Sequence, residues 1–379
     1  MRELPPGEGV GTKAPGGQQY SLSSPLMPYF KLVAMLSGIR RRARNVAIAS
    51  QLPEKVAAPY PDRGFSVLGG HSKPNGLNRA YRYELRRLES QGLLNHASRN
   101  VLILGQPRHY GRLLRRASTD LEGRYRIGLW VTEFDVMPPD WGFAMNIVNE
   151  VWTPSHFSAC ALAACGLPIT VVPHAVSVQS TTPLPRSRFG IPADAFLGLA
   201  IMDLGTCPDR KNPLAHIAAW RQGFGSDSRA VLLLKARFGS GTRFARRAVK
   251  SAVAGLGNVI LLEEEFTDGE ISRLQAMADV YLSLHRSEGY GLNIHECLEL
   301  GVPVVATGYS GNMTFMSRYP NAIPLPYRLV PYRDPTFHYS GDGLRWAEPC
   351  VESAARILQD LRGRCGSSLQ SVRPAGAAA

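Results

Sequence analysis

The sequence predicts an α/β chain of two domains, each a parallel sheet covered by helices on both faces. Short apolar, β-branched runs alternate with segments of helical apolar spacing, the pattern of repeated βα units. A chain of 379 residues is long enough to bury two sizeable cores. The stretch Ser177–Arg188, with prolines at 183 and 185, interrupts the pattern near its middle and reads as the linker.

Taken in order, residues 1–25 are rich in Gly, Pro and Ser and are expected to be disordered. The first α/β domain starts with the strand Phe65–Leu68, leading into Gly69–Gly70 and Asn75–Gly76–Leu77–Asn78. Arg79–Leu94 has helical apolar spacing. Val101–Leu104, Ile127–Val131, Val151–Trp152 and Thr170–Val172 read as further strands, with a helix at Phe157–Cys165. The second domain carries the strands Phe196–Met202, Val231–Leu234, Val259–Leu262, Val280–Leu284 and Val302–Ala306. Ligands of such sheets bind beyond the C-terminal ends of strands. Lys235, Glu288 and Thr307–Gly311 fall at such ends, and Lys211 lies on the loop past another.

The most informative stretch is 287–311, SEGYGLNIHECLELGVPVVATGYSG. Glu288 and Glu296 flank a glycine-bearing loop, Gly289–Tyr290–Gly291, that opens a helix stopping at Gly301. A helix N-terminus points unpaired N–H groups outward and attracts phosphate, and glycines let the backbone approach it. A carboxylate just inside the helix can accept two hydrogen bonds from a ribose diol, and the one across the loop can do the same for a sugar. The inferred ligand is a nucleotide diphosphate carrying a sugar. Taken alone, two glutamates at this spacing also fit an ordinary amphipathic helix with a solvated face.

The segment EGYGLNIHE at 288–296 resembles the Glu-x7-Glu donor motif of the retaining glycosyltransferases of family 4, which have the GT-B architecture: two Rossmann-like domains facing a central cleft. RIGLWVTE at 126–133, VWTPSHF at 151–157, VVPHAV at 171–176, DRKNP at 209–213 and WAEP at 346–349 resemble the same family in the expected order, so the resemblance spans roughly 65–362. Residues 1–60 match nothing in the family and are expected to form a partly disordered extension, with association to a membrane as one reading of it; the resemblance implies an acceptor domain over 61–182 and a nucleotide-sugar domain over 183–345. A helix within 346–379 is implied to return toward the first domain, ahead of a disordered tail. It further implies that Glu296 holds ribose and Glu288 the donor sugar. The amides of Gly289, Tyr290, Gly291 and Leu292 would bind the diphosphate together with Lys211 and Lys235, with Arg210 beside them. Much of the family places an arginine at the end of the first strand of the second domain; Met202–Asp203 stands there instead, and Arg210 reads either as its substitute or as a solvated surface residue. Glu133, where many relatives carry a histidine, or Asp135, would bind hydroxyls or act on an oxocarbenium-like centre. A plain strand-end carboxylate is the alternative reading of Glu133, as a plain strand-end lysine is of Lys235. Gly76 resembles the glycine-rich loop facing the sugar phosphate, His174 is expected to shape the interdomain turn, and His71 is a candidate acceptor residue.

The implied activity is transfer of a hexose from a nucleotide-diphosphate sugar, GDP-mannose or a UDP-sugar, to a glycan or lipid-linked acceptor in bacterial surface-polysaccharide synthesis. No cofactor is implied. There is no Asp-x-Asp pair and no second histidine after His295–Glu296, so no metal is expected. The rivals are a binding or scaffold protein of the same fold, and an epimerase or phosphorylase on the same plan.

Composition sets the remaining bounds. Hydrophobic content of 44% and charged content of 19% are those of a soluble globular protein. The six cysteines form no Cys-x-x-Cys pair and no metal spacing, which fits a reducing compartment. No apolar run reaches the ~18 residues a bilayer crossing needs, and the N-terminal stretch lacks the apolar core of a signal peptide. The sequence therefore predicts a cytoplasmic protein. A net charge of +13 fits nucleic acid, an anionic membrane face or anionic small molecules. No nucleic-acid motif accompanies the arginines, and no such partner is expected. Pro28–Arg44 places mostly apolar residues before four arginines. It reads either as a helix lying on the anionic inner face of the membrane, or as one packed on the protein's own surface.

Overall fold

The structure, a computed structural model, describes residues 27–70, 76–116, 121–178, 182–333, 339 and 343–370. The expectations for residues 1–25, His71, Asn75 and the tail beyond 370 lie outside them.

The first domain comprises α1 (Met27–Ala49), β1 (Ser66–Gly69), α2 (Gly76–Ser90), β2 (Asn100–Leu104), α3 (Tyr110–Leu113), β3 (Tyr125–Leu129), β4 (Glu150–Thr153), α4 (His156–Leu162) and β5 (Ile169–Val171). Its strands pair in parallel in the order β1-β2-β3-β4-β5. Strands β2 and β3 are buried along their whole length because both faces are covered. Period-two alternation sends Leu102 and Leu104 against Tyr81 and Leu88 of α2, while Val101 and Ile103 meet Tyr110, Trp130 and Trp141 on the other face.

Helix α1 docks by its C-terminal half. Asn45 is buried, and Ile48 and Ala49 pack on the Tyr110 cluster. Farther along, Lys55 Nζ donates to Val148 O at 2.9 Å, and the fully buried Arg126 donates through Nη2 to Pro53 O at 2.7 Å. The chain from Asn45 onward is thus part of this domain's core, upstream of the expected boundary at residue 61.

The second domain comprises β6 (Phe196–Leu204), α5 (Pro208–Lys211), α6 (Pro213–Phe224), β7 (Ala230–Phe238), α7 (Arg243–Val253), β8 (Val259–Leu262), α8 (Asp268–Ala276), β9 (Val280–Ser283), α9 (Leu292–Glu299), β10 (Val304–Thr307), β11 (Ala322–Leu325), β12 (Tyr327–Pro331), β13 (Arg345–Pro349) and α10 (Val351–Gln370). Six strands form a parallel sheet in the order β11-β10-β9-β6-β7-β8, and β12 and β13 form a separate antiparallel ribbon. Helix α10 was expected to turn back toward the first domain. Instead it lies on α6: Ala354 and Leu358 join Ala219 and Trp220 in one apolar cluster, and Gln359 Nε2 donates to Gly223 O at 2.8 Å. The apolar stripe of α10 is spent on the indole of Trp220.

His216 ties α6 to the sheet. Its Nδ1 lies 2.9 Å from Asn212 O and its Nε2 accepts from Leu284 N at 2.9 Å, which fixes a neutral tautomer with the proton on Nδ1. Burial pushes its pKa down to about 4. Between the ordinary value of 6.5 and about 4, the unfolded chain binds a proton that the folded chain refuses, so stability falls as pH drops through that window. Thermal unfolding of the wild type is expected to shift to lower temperature from pH 7 to pH 5. His216→Phe is expected to flatten part of that slope while costing ~1–3 kcal/mol for the stranded Leu284 amide.

Candidate active site in the interdomain cleft

A cleft of about 490 Å3 runs between the domains. Gly76, Glu133, Arg210, Lys211, Glu288, Gly289, Tyr290, Gly291 and Leu292 all line it, so most of the residues singled out in the sequence are brought together. Glu296 and Lys235 are not on its wall.

The loop from β9 into α9 builds one side. Gly291 precedes the helix with φ +92°, a left-handed conformation that favours glycine. The ladder of α9 begins with His295 N donating to Gly291 O, so the earlier amides have no acceptor within the helix. Glu288 N donates to Ser310 Oγ at 2.8 Å, and Gly311 N donates to Glu288 O at 2.8 Å. Gly289 meets the first domain directly. Its carbonyl accepts from Ser155 Oγ at 2.7 Å, and a Cβ on it would fall 2.2 Å from Val131 Cγ1. The Tyr290 hydroxyl turns inward to His295 Nδ1 at 2.8 Å and to the carbonyl of His174. Tyr290 therefore offers the cleft its backbone more than its phenol. His174 thus meets the α9 loop through its carbonyl, while its buried Nδ1 has no hydrogen-bond partner.

An ion network crosses the cleft. Lys211 Nζ is bonded to Glu288 Oε1, Arg210 Nη1 lies 3.2 Å from Glu288 Oε2, and Arg210 Nη2 lies 2.8 Å from Glu133 Oε1. Arg210 also donates to Ser287 O at 2.9 Å, and Ser287 Oγ donates to Glu133 O at 2.6 Å. Burial alone would raise the Glu288 pKa, but the Lys211 and Arg210 charges overcome it and hold the carboxyl down at about 2. Burial works against the Arg210 charge too, and Glu133 and Glu288 more than restore it.

Glu296 is buried beneath α9. Its Oε1 lies 3.0 Å from Arg79 Nε and accepts from the Tyr83 hydroxyl at 3.1 Å, while Gln275 Nε2 donates to Oε2 at 2.8 Å. Burial raises its pKa, against the pull of Arg79. Lys235 was expected at a strand end. Strands β6 and β7 instead pair on to Leu204 and Phe238, leaving Lys235 inside β7, opposite Ile201, and buried. Burial lowers its pKa. The residue that reaches the cleft from β7 is Arg237, whose Nη2 pairs with Asp203 Oδ2 at 2.5 Å. Reading the sequence strand by strand missed it, because the link between Asp203 and Arg237 is a register across two strands. Arg79 was missed as well, although its spacing to Tyr83 places both on one helix face.

No protein-family model matches the chain, and no curated protein matches it by sequence. Among solved structures, Anabaena HepE in complex with UDP and glucose matches with a TM-score of 0.54 at 13% identity, over 82% of this chain and 100% of that one. WaaG, a glycosyltransferase involved in lipopolysaccharide biosynthesis, matches with 0.53 at 13% identity, over 80% and 91%. The fold is GT-B: two Rossmann-like domains facing a central cleft.

Glu288→Gln removes the charge between two cations and is expected to cost roughly 3 kcal/mol at neutral pH. Because the folded pKa is depressed, that contribution is complete above the ordinary value of 4.5 and is lost as pH falls toward about 2. Urea unfolding of both proteins at pH 7 and pH 3 checks this; the gap narrows at pH 3.

Proposed function

We propose that this chain is a retaining, metal-independent glycosyltransferase that moves a hexose from a nucleotide-diphosphate sugar to a glycan or lipid-linked acceptor, in bacterial surface-polysaccharide synthesis. The observation that carries the reading is the meeting of Lys211, Arg210 and the amides before α9 with Glu133 of the opposite domain, across the cleft of a GT-B fold. HepE binds UDP and glucose in its crystal, and WaaG acts in lipopolysaccharide biosynthesis, which supports this donor and acceptor class.

In this reading the second domain binds the donor. Negative charge grows on the leaving β-phosphate, and Lys211, Arg210 and the α9 amides stabilise it. A cation ~4 Å away is worth ~4 kcal/mol at an effective dielectric of 20, before desolvation losses. Glu288 accepts hydrogen bonds from the sugar, Glu296 from the ribose, and Glu133 acts on hydroxyls or on the charge at the anomeric carbon. The departing phosphate takes the acceptor's proton on the face it leaves, which retains configuration. The second reading, a binding protein without turnover, is favoured by one feature: Glu288 and Glu296 are both engaged by side chains of this chain.

A thermal-shift panel of UDP-, GDP- and ADP-sugars is expected to single out one donor, by ~2.7 kcal/mol of added stability at a hundredfold excess over Kd. With that donor, Lys211→Ala is expected to lower kcat by ~100-fold or more. Wild-type turnover in the variant removes the assignment, and donor binding without transfer or donor hydrolysis favours the second reading.

A peripheral membrane position is part of the proposal. Among the described residues no helix is long and apolar enough to cross a membrane. Helix α1 runs on N-terminal to the part that docks, with Arg40, Arg42, Arg44 and Ile39 exposed and Arg41 lining the cleft. Arginines near an anionic surface contribute ~1 kcal/mol each. Vesicles containing phosphatidylglycerol are expected to sediment the wild type but not the Arg40→Glu/Arg42→Glu/Arg44→Glu variant; equal sedimentation of both overturns this part.

A further inference from the structure

Helix α2 of the first domain grips the second domain at three points. Arg79 sets its guanidinium on Glu296 and donates through Nη2 to Asn293 Oδ1. Tyr83, one turn on, donates its hydroxyl to Glu296. Arg82, on the flank, pairs with Asp268 at the start of α8. With Gln275 on the other oxygen, both oxygens of Glu296 are engaged, and the carboxylate is 2% exposed. Arg79 and Asn293 line the cleft while Glu296 does not, so the Arg79 side chain reaches from the cleft wall to the carboxylate.

We infer that Arg79 and Tyr83 are a built-in occupant of the ribose-binding carboxylate, so that donor binding requires α2 to withdraw from α8 and α9. The inference rests on the reading that Glu296 receives the ribose. Glu296 is 2% exposed, with Arg79 Nε 3.0 Å from Oε1 and the Tyr83 hydroxyl bonded to the same oxygen, so a diol reaches the carboxylate only where these side chains have left it. Nucleotide affinity is then reduced by the fraction of molecules in which α2 has let go. The Arg82–Asp268 pair, half-exposed and off the cleft wall, holds the same helix without touching the ligand space. It makes the occupant a property of the helix rather than of one side chain.

The test measures UDP binding by calorimetry to the full chain. Arg82→Ala and Tyr83→Phe are mild changes that leave Arg79 in place and keep the buried carboxylate paired, so the variants are expected to fold. If α2 is withdrawn in ~10% of molecules, loosening it tightens the apparent Kd by up to tenfold. The double variant is therefore expected to bind UDP at least threefold tighter than wild type, with each single variant shifted in the same direction. An unchanged or weaker Kd in the double variant overturns the inference. Glu296→Gln on the same background separates the two readings. If it binds UDP as well as its parent, the ribose assignment fails and the occupant with it. If it binds more weakly while the helix variants show no tightening, the ribose assignment stands and only the occupant falls.

Discussion

The geometry of the cleft depends on one buried guanidinium. Arg210 lies between Glu133 of the first domain and Glu288 of the second, and its planar fork can meet both carboxylates and the Ser287 carbonyl together. Three charges withdrawn from water are costly unless each is matched, and here Lys211 supplies the fourth. The set is neutral as built: two cations face two carboxylates. Removing any member leaves an uncompensated charge in a low-dielectric site. The relative placement of the domains is thereby tied to the placement of the residues proposed for catalysis. Within this network, Arg210 Nε is buried without a hydrogen-bond partner.

The frame around Arg210 explains segments that the sequence only located. Residues 346–349 stand far from the cleft in sequence, yet Glu348 holds Arg286 Nε at 2.7 Å, and Arg286 Nη1 donates to Asp209 O at 2.7 Å. That carbonyl belongs to the turn carrying Arg210 and Lys211. Trp346 stacks at 6.3 Å on Phe134, the neighbour of Glu133, and takes the Arg286 guanidinium over its ring at 5.4 Å. A single ribbon therefore buttresses both ends of the ion network, from the first domain's loop to the second domain's turn.

The parallel strands were legible because each is an apolar run too short and too β-branched for a helix, and the start of α9 was legible from Gly291 and the stop at Gly301. The site was legible where its residues are neighbours in sequence, as in 288–292. It was not legible where partners meet across strands or domains. Nothing local marks Lys235 as interior: the apolar run ends at Leu234, but β6 and β7 keep pairing through Phe238 because each supplies the other's ladder. The ribbon β12–β13 and the seat of α10 were missed for a related reason, since an apolar stripe states that a helix is covered and not by what. The place of Glu296 just inside α9 carries no sign that Arg79, on a helix more than two hundred residues earlier, reaches it.

Glu288 and Glu296 then share one design. Each carboxylate of the motif is held by cations of this chain, Glu288 by Lys211 and Arg210, Glu296 by Arg79. On the proposed function, a diphosphate brings negative charge to Lys211 and Arg210 and competes with Glu288 for them. A unit charge ~4 Å from a cation is worth ~4 kcal/mol at an effective dielectric of 20 whether a carboxylate or a phosphate carries it. The exchange is therefore close to balanced in Coulomb energy. A balanced exchange frees Glu288 to turn to sugar hydroxyls as the phosphate takes its cations, so engagement of the sugar follows from engagement of the diphosphate. The acids that make the site look self-occupied are, on this account, what couples the two ends of the donor.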